Sequence, residues 1–258
     1  MKEYIISDTG VKVFSNYKDN IDIDKDNKVL SKKANLPREK CNKGKVKGLS
    51  RFGSENSEDA KTFNLFRGLE LNGRIGEYYN TVGITDTNKP ERLLFWGMDS
   101  NTGESDAVLK TVLDKIEPPN IWKIQQTEPD IIIIGNKTVV FNESKLGRNG
   151  ATIEAWNRKK PLGEKHEFYK KNAKQYFNSS FIENFSVEGR RFYQLLRNFI
   201  IGQTFADSLK KQFHLVALVN SQNKNKSGLS HQEEFEKFKL FLNKPFQAFC
   251  HLTSWDKL

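Results

Sequence analysis

Three charged residues flank an apolar stretch in the middle of the chain. Asp130 precedes four consecutive isoleucines, and Glu143 and Lys145 follow the apolar run TVVF after a short polar break. Two carboxylates that lie close together repel each other unless a cation lies between them. Carboxylate oxygens suit small, hard cations such as Mg²⁺ or Mn²⁺, which keep coordination positions open for water and phosphate. The residue types therefore indicate a divalent-metal site that acts on a phosphodiester.

A β-hairpin is predicted to bring these residues together. The segments PDIIIIG and TVVFNESK have the composition of two strands, and the intervening Gly135 and Asn136 favour the positive-φ conformations of a tight turn. A turn centred near Asn136 places Asp130 opposite Asn142. Glu143 is then an adjacent or diagonal neighbour of Asp130, about 5 to 8 Å away between Cβ atoms.

Each charged residue has a chemical role in this interpretation. Because side chains alternate along a strand, Glu143 and Lys145 face one side of the hairpin and Ser144 faces the other. Asp130 and Glu143 are the expected metal ligands, with the backbone carbonyl of Ser144 as a further one. A bound metal would polarise a phosphoryl oxygen, while Lys145 would orient or activate the attacking water and neutralise transition-state charge. The alternative is a surface salt-bridge cluster on a structural hairpin, which would contribute little.

The motif resembles a known family pattern. Pro129-Asp130 followed by Glu143-Ser144-Lys145 resembles the PD-(D/E)xK motif of restriction-endonuclease-like nucleases, and the resemblance covers about residues 57 to 220. The segments SEDAKTFNLF, YQLLRN and HLTSWDKL are similar to a bacterial group of uncharacterised proteins of this kind. The resemblance implies an α/β fold with a mixed four-stranded central sheet flanked by helices. It also implies dependence on Mg²⁺, with Mn²⁺ as a substitute, and hydrolysis of nucleic-acid phosphodiesters, with DNA as the expected substrate.

A carboxylate on the helix before the sheet is also implied by the resemblance. In SENSEDAKTF the first candidate is Glu58 and the second is Glu55. Glu58 lies in the first helical turn, where an acidic side chain also stabilises the helix through its dipole. The sequence therefore leaves both helix stabilisation and metal ligation open for Glu58.

Polar and basic residues after the motif are candidate contacts to nucleic-acid phosphates. The resemblance implies that Gln194, on the following helix, touches phosphate or bound water, and a solvent-facing Gln194 is the alternative. A solvated surface is also the alternative for the other members of the set. The full set of candidates is Arg148, Arg158, Lys159, Lys160, Arg190, Arg191, Gln194 and Arg197.

The hydrophobic pattern predicts one α/β domain around the hairpin. The element order is helix, three strands, helix, strand, and the domain is assigned to residues 51–258. Residues 1–50 are assigned to a basic N-terminal extension, partly disordered, with two short strands at EYIIS and VKVFS. The predicted helices lie at 57–70, 105–116, 163–177, 187–209 and 230–242, and the strands outside the hairpin lie at 92–98, 213–220 and 246–255.

Composition excludes several classes of protein. No window approaches 18 uninterrupted apolar residues, so no membrane span is predicted. The N-terminus lacks a signal-peptide pattern, and Cys41 and Cys250 do not form a disulfide framework, so a cytoplasmic location is expected. The net charge of 42 − 32 = +10 attracts polyanions. Ten Lys and Arg against two acids between Lys25 and Arg51 are typical of either a phosphate-binding arm or a solvated leader.

Three classes of function follow from these observations. The leading hypothesis is a Mg²⁺-dependent nuclease in bacterial genome defence or restriction, with recombination or repair processing also open. The second is a non-catalytic nucleic-acid-binding module. The third is a subunit of a larger assembly, since no sequence-reading module is evident and a homodimer or a partner subunit could supply target recognition.

Overall fold

The computed structural model describes residues 2–34, 46–86, 90–118, 126–145, 165–220 and 230–258. Within these ranges the strands are β1 Tyr4–Ile6, β2 Lys12–Phe14, β3 Arg92–Phe95, β4 Met98–Asp99, β5 Ile131–Ile134, β6 Thr138–Lys145, β7 Gln212–Val219 and β8 Cys250–Ser254. The helices are α1 Lys28–Ala34, α2 Glu58–Leu71, α3 Ile75–Val82, α4 Ala107–Ile116, α5 Lys165–Ala173, α6 Ser179–Glu183, α7 Phe185–Arg191, α8 Tyr193–Ser208, α9 His231–Phe241 and α10 Lys244–Gln247.

A mixed sheet in the order β4-β3-β5-β6-β7-β8 forms the centre of the protein. The first three pairings are antiparallel, and β7 and β8 continue the sheet in parallel. The sheet therefore has six strands rather than the predicted four. The edge strand β8 corresponds to the strand predicted at 246–255. At the other edge, β4 was not predicted as a separate strand and folds back on β3 through a two-residue turn at Trp96 and Gly97, both with positive φ.

Helices cover both faces of this sheet. One face, carrying Ile132 and Phe141, packs against α4, α5, α8 and α9. The opposite face, carrying Ile131 and Val140, packs against α1, α2 and α3. Strand β5 can consist of four isoleucines because both faces are covered, and all four are fully buried.

Most predicted elements are present, with local differences. The helix predicted at 187–209 is divided into α7 and α8 at Phe192, whose backbone leaves helical geometry. The strand predicted at 246–255 starts only at Cys250. Its first residues form α10 instead, because Pro245 stands in the first turn, where its fixed φ favours a helix.

Three further helices, α1, α3 and the short α6, were not predicted. Helix α3 carries the buried side chains of Ile75, Tyr78, Tyr79 and Val82 on one stripe. Helix α1 lies within the basic tract, and its Val29 and Leu30 belong to the same buried cluster as the α2 side chains. The two short N-terminal strands were predicted and pair as an antiparallel hairpin. Residues 35–45 of the tract lie outside the described residues. In the part of the chain that the structure describes, no helix is long and apolar enough to cross a membrane.

Two histidines lie side by side on neighbouring parallel strands. The His214 Nδ1 and His251 Nε2 atoms are 2.9 Å apart, and His214 is buried. Burial lowers the pKa of both imidazoles to about 4, with the neighbouring His251 adding to the effect on His214 and Lys239 to that on His251. Both rings are therefore neutral in the folded protein at neutral pH.

Because of this histidine pair, we expect the folded protein to become less stable in mild acid. The unfolded histidines take up protons near pH 6.5 whereas the folded ones resist until about pH 4. The free energy of unfolding should therefore fall as pH drops from about 6.5 to 4, by on the order of 3 kcal/mol for each histidine. Urea titrations at several pH values should show a shallower pH dependence for His214→Gln/His251→Gln. Identical curves for the wild-type protein and the double variant would contradict the assignment.

Candidate active site

The β5–β6 hairpin carries Asp130 and Glu143 to the same end of the sheet. The observed register pairs Ile131 with Asn142, one residue from the predicted alignment. Continued by one residue, this register sets Asp130 level with Glu143. The Asp130 Oδ2 atom accepts a hydrogen bond of 2.8 Å from the backbone N–H of Ser144, so the two strands are still joined at this point.

The three charged side chains share one face of the sheet. Ile132 and Phe141 lie on the α8 face, and alternation places Asp130 on the same side as Ile132, and Glu143 and Lys145 on the same side as Phe141. The structure thus brings together the three residues that the sequence predicted.

Lys145 lies among carboxylates. Its Nζ atom is 2.5 Å from Glu143 Oε1 and 3.7 Å from Glu58 Oε1, and it donates a 3.0 Å hydrogen bond to the backbone carbonyl of Ser144. Burial by itself would lower the pKa of Lys145, but the charges of Glu143, Glu58 and Asp130 outweigh burial and raise it. Lys145 is therefore an ammonium ion, which can orient water and neutralise charge but cannot take up a proton.

The two strand carboxylates differ in their electrostatic environment. Burial and the charges of Glu143 and Glu58 raise the pKa of Asp130 well above its usual value, although Lys145 acts in the opposite direction. Burial would also raise the pKa of Glu143, but Lys145 and Arg197 together with two side-chain hydrogen bonds lower it. Glu143 is therefore the more readily ionised of the two carboxylates. The neighbouring negative charges instead disfavour ionisation of Asp130.

The geometry distinguishes the two candidate helix carboxylates. Ser57 caps α2, which sets Glu58 in the first turn at the open end of the sheet, beside Lys145. Glu55 instead accepts a 3.1 Å hydrogen bond from the backbone N–H of Lys12 on β2. Glu58 is the residue that joins the cluster.

Helix α8 contributes polar side chains to the same place. The Asn198 amide nitrogen donates to Glu143 Oε2, and Asn198 is fully buried. Arg197 is close enough for its charge to lower the pKa of Glu143. The Gln194 Oε1 atom, one turn before Asn198, is buried without a hydrogen-bond partner. Asn198 was not among the predicted site residues, although an asparagine four residues after Gln194, within LLRNFII, was a usable signal.

A second polar group supports the hairpin from the opposite face. Tyr78 on α3 donates a 2.7 Å hydrogen bond from its hydroxyl to Asn142 Oδ1. The Asn142 amide nitrogen in turn donates to Ser144 Oγ over 3.0 Å. The Ser144 side chain is therefore used in this network, and its carbonyl oxygen already accepts the hydrogen bond from Lys145 Nζ. A role of that carbonyl as a metal ligand stays a prediction.

The remaining predicted residues have other surroundings. Arg191 forms a long ion pair of 3.7 Å with Glu234 on α9, and Arg190 is half-buried at the end of α7. Contact of Arg190, Arg191, Gln194 and Arg197 with phosphate stays a prediction. Arg148, Arg158, Lys159 and Lys160 lie outside the described residues.

The donor set at this site fits a hard divalent cation. Among the described residues, no three His, Cys, Asp or Glu side chains are grouped so that they could hold a metal ion. Mg²⁺, however, is commonly bound through one or two carboxylates and keeps several water ligands. Asp130 and Glu143 with the Ser144 carbonyl could supply such ligands. Burial first, and then the charges of Glu143 and Glu58, raise the pKa of Asp130, and a bound cation would act in the opposite direction.

The fold and this cluster define a class of protein: an α/β protein with a mixed sheet and, at one end of it, a group of acidic side chains around a lysine. Comparison with known proteins goes no further, because no family model, no curated protein and no solved structure matches the chain.

Proposed function

We propose that this protein is a metal-dependent nuclease that hydrolyses phosphodiester bonds of nucleic acid, with DNA as the preferred substrate. The observation that carries the proposal is the convergence of Asp130, Glu143, Glu58 and Lys145 at the open end of one hairpin. Placing three carboxylates together, with Glu143 buried and Asp130 and Glu58 partly buried, is costly unless cations accompany them. A purely structural role would not need so many acids, whereas phosphodiester hydrolysis does.

Each residue of the cluster has a separate role in the proposed reaction. Asp130, Glu143 and the Ser144 carbonyl would hold Mg²⁺ or Mn²⁺, with Glu58 beside them, and the bound ion would supply Lewis-acid polarisation of a phosphoryl oxygen. The Lys145 ammonium orients the attacking water and neutralises negative charge that develops on the phosphate. Asn198 holds the Glu143 carboxylate in place through its amide N–H. The net charge of +10 favours the approach of a polyanion.

The biological setting that we propose is bacterial genome defence or restriction, with repair or recombination processing as the alternative. This part rests on the resemblance of Pro129-Asp130 and Glu143-Ser144-Lys145 to the PD-(D/E)xK motif. The order of elements supports this resemblance. Helix α2 is followed by strands β3, β5 and β6, and then by helix α8 and the parallel strand β7.

A substrate panel tests the proposal. The purified protein is incubated with supercoiled plasmid, linear duplex, single-stranded DNA and RNA in Mg²⁺, in Mn²⁺ and in EDTA. We expect cleavage of DNA in either metal and none in EDTA. Undiminished cleavage in EDTA would exclude a metal-dependent mechanism. Absence of cleavage of every substrate would exclude nuclease activity.

A non-catalytic nucleic-acid-binding module is the second candidate. It is favoured by one observation: both Glu143 carboxylate oxygens are already engaged, one by Lys145 and the other by Asn198. In that case the protein would bind DNA with strong salt dependence and cleave none of the substrates in the panel.

A further inference from the structure

A buried carboxylate anchors the segment that leads into Asp130. Glu117 follows directly after α4 and is fully buried. It accepts three hydrogen bonds of 2.5 Å each, from the backbone N–H of Thr127, from the Thr127 hydroxyl and from the Tyr169 hydroxyl. Two of the three donors belong to the residue that lies three positions before Asp130.

The arrangement costs free energy that a structural turn would not need to incur. A buried carboxylate is unfavourable unless hydrogen bonds and compensating charge surround it. Burial and the Glu117 charge raise the pKa of Tyr169 well above its usual value, so Tyr169 remains a phenol and donates. Compensating charge comes from Arg197. Burial lowers the pKa of Arg197, but the charges of Glu143, Tyr169, Tyr193 and Glu117 together outweigh burial and raise it.

The anchor restricts where Asp130 can lie. Thr127 is fixed by Glu117, and the Asp130 carbonyl accepts a 3.2 Å hydrogen bond from the backbone N–H of Trp96. The Asp130 carboxylate itself is held by the N–H of Ser144. The short segment is therefore pinned at both ends, and the carboxylate has little freedom to move away from Glu143.

We propose that Glu117 is a positioning residue that holds Asp130 in place for cation binding, acting through Thr127. This inference rests on the proposed metal-dependent function. Glu117 touches neither the candidate ligands nor the space between them, and its effect would be on how tightly the site binds a divalent cation. Residues that orient metal ligands from behind typically change metal affinity or activity about 10- to 100-fold when they are mutated.

Glu117→Gln tests the inference, because glutamine keeps the size of the side chain while its amide nitrogen cannot accept from Thr127 or Tyr169. Mn²⁺ binding to the full chain is measured by isothermal titration calorimetry, and the cleavage rate is measured as a function of Mg²⁺ concentration. We expect the Mn²⁺ Kd and the half-saturating Mg²⁺ concentration both to rise about 10- to 100-fold. The cleavage rate at saturating Mg²⁺ should fall by much less.

The matched control is Asp114→Asn, an acid-to-amide change one turn earlier in α4. Asp114 is partly exposed and accepts a hydrogen bond from Gln126, in the same segment. Asp114→Asn should leave both metal constants within about twofold, because the asparagine carbonyl oxygen can still accept from Gln126.

Three outcomes separate the possibilities. A folded Glu117→Gln protein with the wild-type Mn²⁺ Kd would overturn the positioning role while leaving the nuclease proposal intact. A wild-type protein that binds no Mn²⁺ would overturn both. If Glu117→Gln does not fold, Tyr169→Phe takes its place, since it removes one donor and keeps the carboxylate and both Thr127 hydrogen bonds. A Mn²⁺ Kd raised severalfold in that variant supports the inference, and an unchanged one overturns it.

Discussion

Asp130→Asn should abolish DNA cleavage and, at the same time, make the protein more stable. Asparagine is a poor ligand for a hard cation, and loss of the cation removes several kcal/mol of transition-state stabilisation. We therefore expect the cleavage rate to fall by about a thousandfold or more, at about 1.4 kcal/mol for each factor of ten.

The gain in stability follows from the sign of the pKa shift. Burial and the charges of Glu143 and Glu58 raise the pKa of Asp130 in the folded protein above its unfolded value. The folded state therefore loses stability as pH rises through the interval between the two values, and that loss is present at neutral pH. Asparagine cannot ionise and can still accept the N–H of Ser144, so we expect Tm at pH 7 to rise by about 2 to 4 °C, as about 1 kcal/mol would produce.

Plasmid cleavage and thermal unfolding, measured side by side, test both halves of this prediction. The control is Asp207→Asn, an exposed aspartate at the far end of α8, which should change neither the rate nor Tm. Full activity in Asp130→Asn would remove Asp130 from the site. A lowered Tm would mean that the charged carboxylate stabilises the fold.

Lys145→Ala should also stop cleavage, but with the opposite effect on stability. The ammonium is the cation that accompanies Glu143, Glu58 and Asp130 in the cluster. Removing one partner of a buried ion pair typically costs about 3 to 5 kcal/mol, since the other partner is left uncompensated. Loss of a group that stabilises transition-state charge lowers the rate by about 10²- to 10³-fold.

A short series of variants separates the two effects of Lys145. Lys145→Arg keeps the positive charge and should retain most of the stability, while its different geometry should still lower the rate. Lys145→Ala/Glu143→Gln should be more stable than Lys145→Ala, because the double variant no longer buries an unpaired Glu143 charge. Urea unfolding and cleavage assays measure both quantities.

The matched control for this series is Lys110→Ala, which breaks the exposed pair of Lys110 and Asp114 at 3.3 Å. It should cost less than about 1 kcal/mol. An equal loss of stability in Lys110→Ala and Lys145→Ala would contradict the claim that Lys145 compensates buried carboxylate charge.

The strand pattern and the placement of the charges could be predicted from the sequence. Alternation along a strand and a short turn after Ile134 depend on local geometry, so they set Glu143 and Lys145 on one face and Asp130 beside them to within one residue. The positive φ predicted for Gly135 and Asn136 was wrong, since neither residue has it. Helix α3 could also have been predicted, because its buried residues recur at helical spacing. The basic composition around α1 concealed its three buried apolar residues.

The approach of residues from distant parts of the chain was decided by the tertiary structure. Asn198 lies 55 positions from Glu143 in sequence, and Tyr78 lies 64 positions from Asn142, yet both pairs are hydrogen-bonded. No local periodicity encodes such contacts, since they depend on how α3 and α8 pack on opposite faces of the sheet.

Sequence alone therefore determined which charged groups stand at the open end of the β5–β6 hairpin, because neighbours along a strand are related by a repeat of two residues. Only the tertiary structure decided their ionisation, because burial and the sum of charges from α2, β6 and α8 set each pKa. It is this sum that keeps Lys145 protonated and leaves Asp130 as the carboxylate that a divalent cation would relieve.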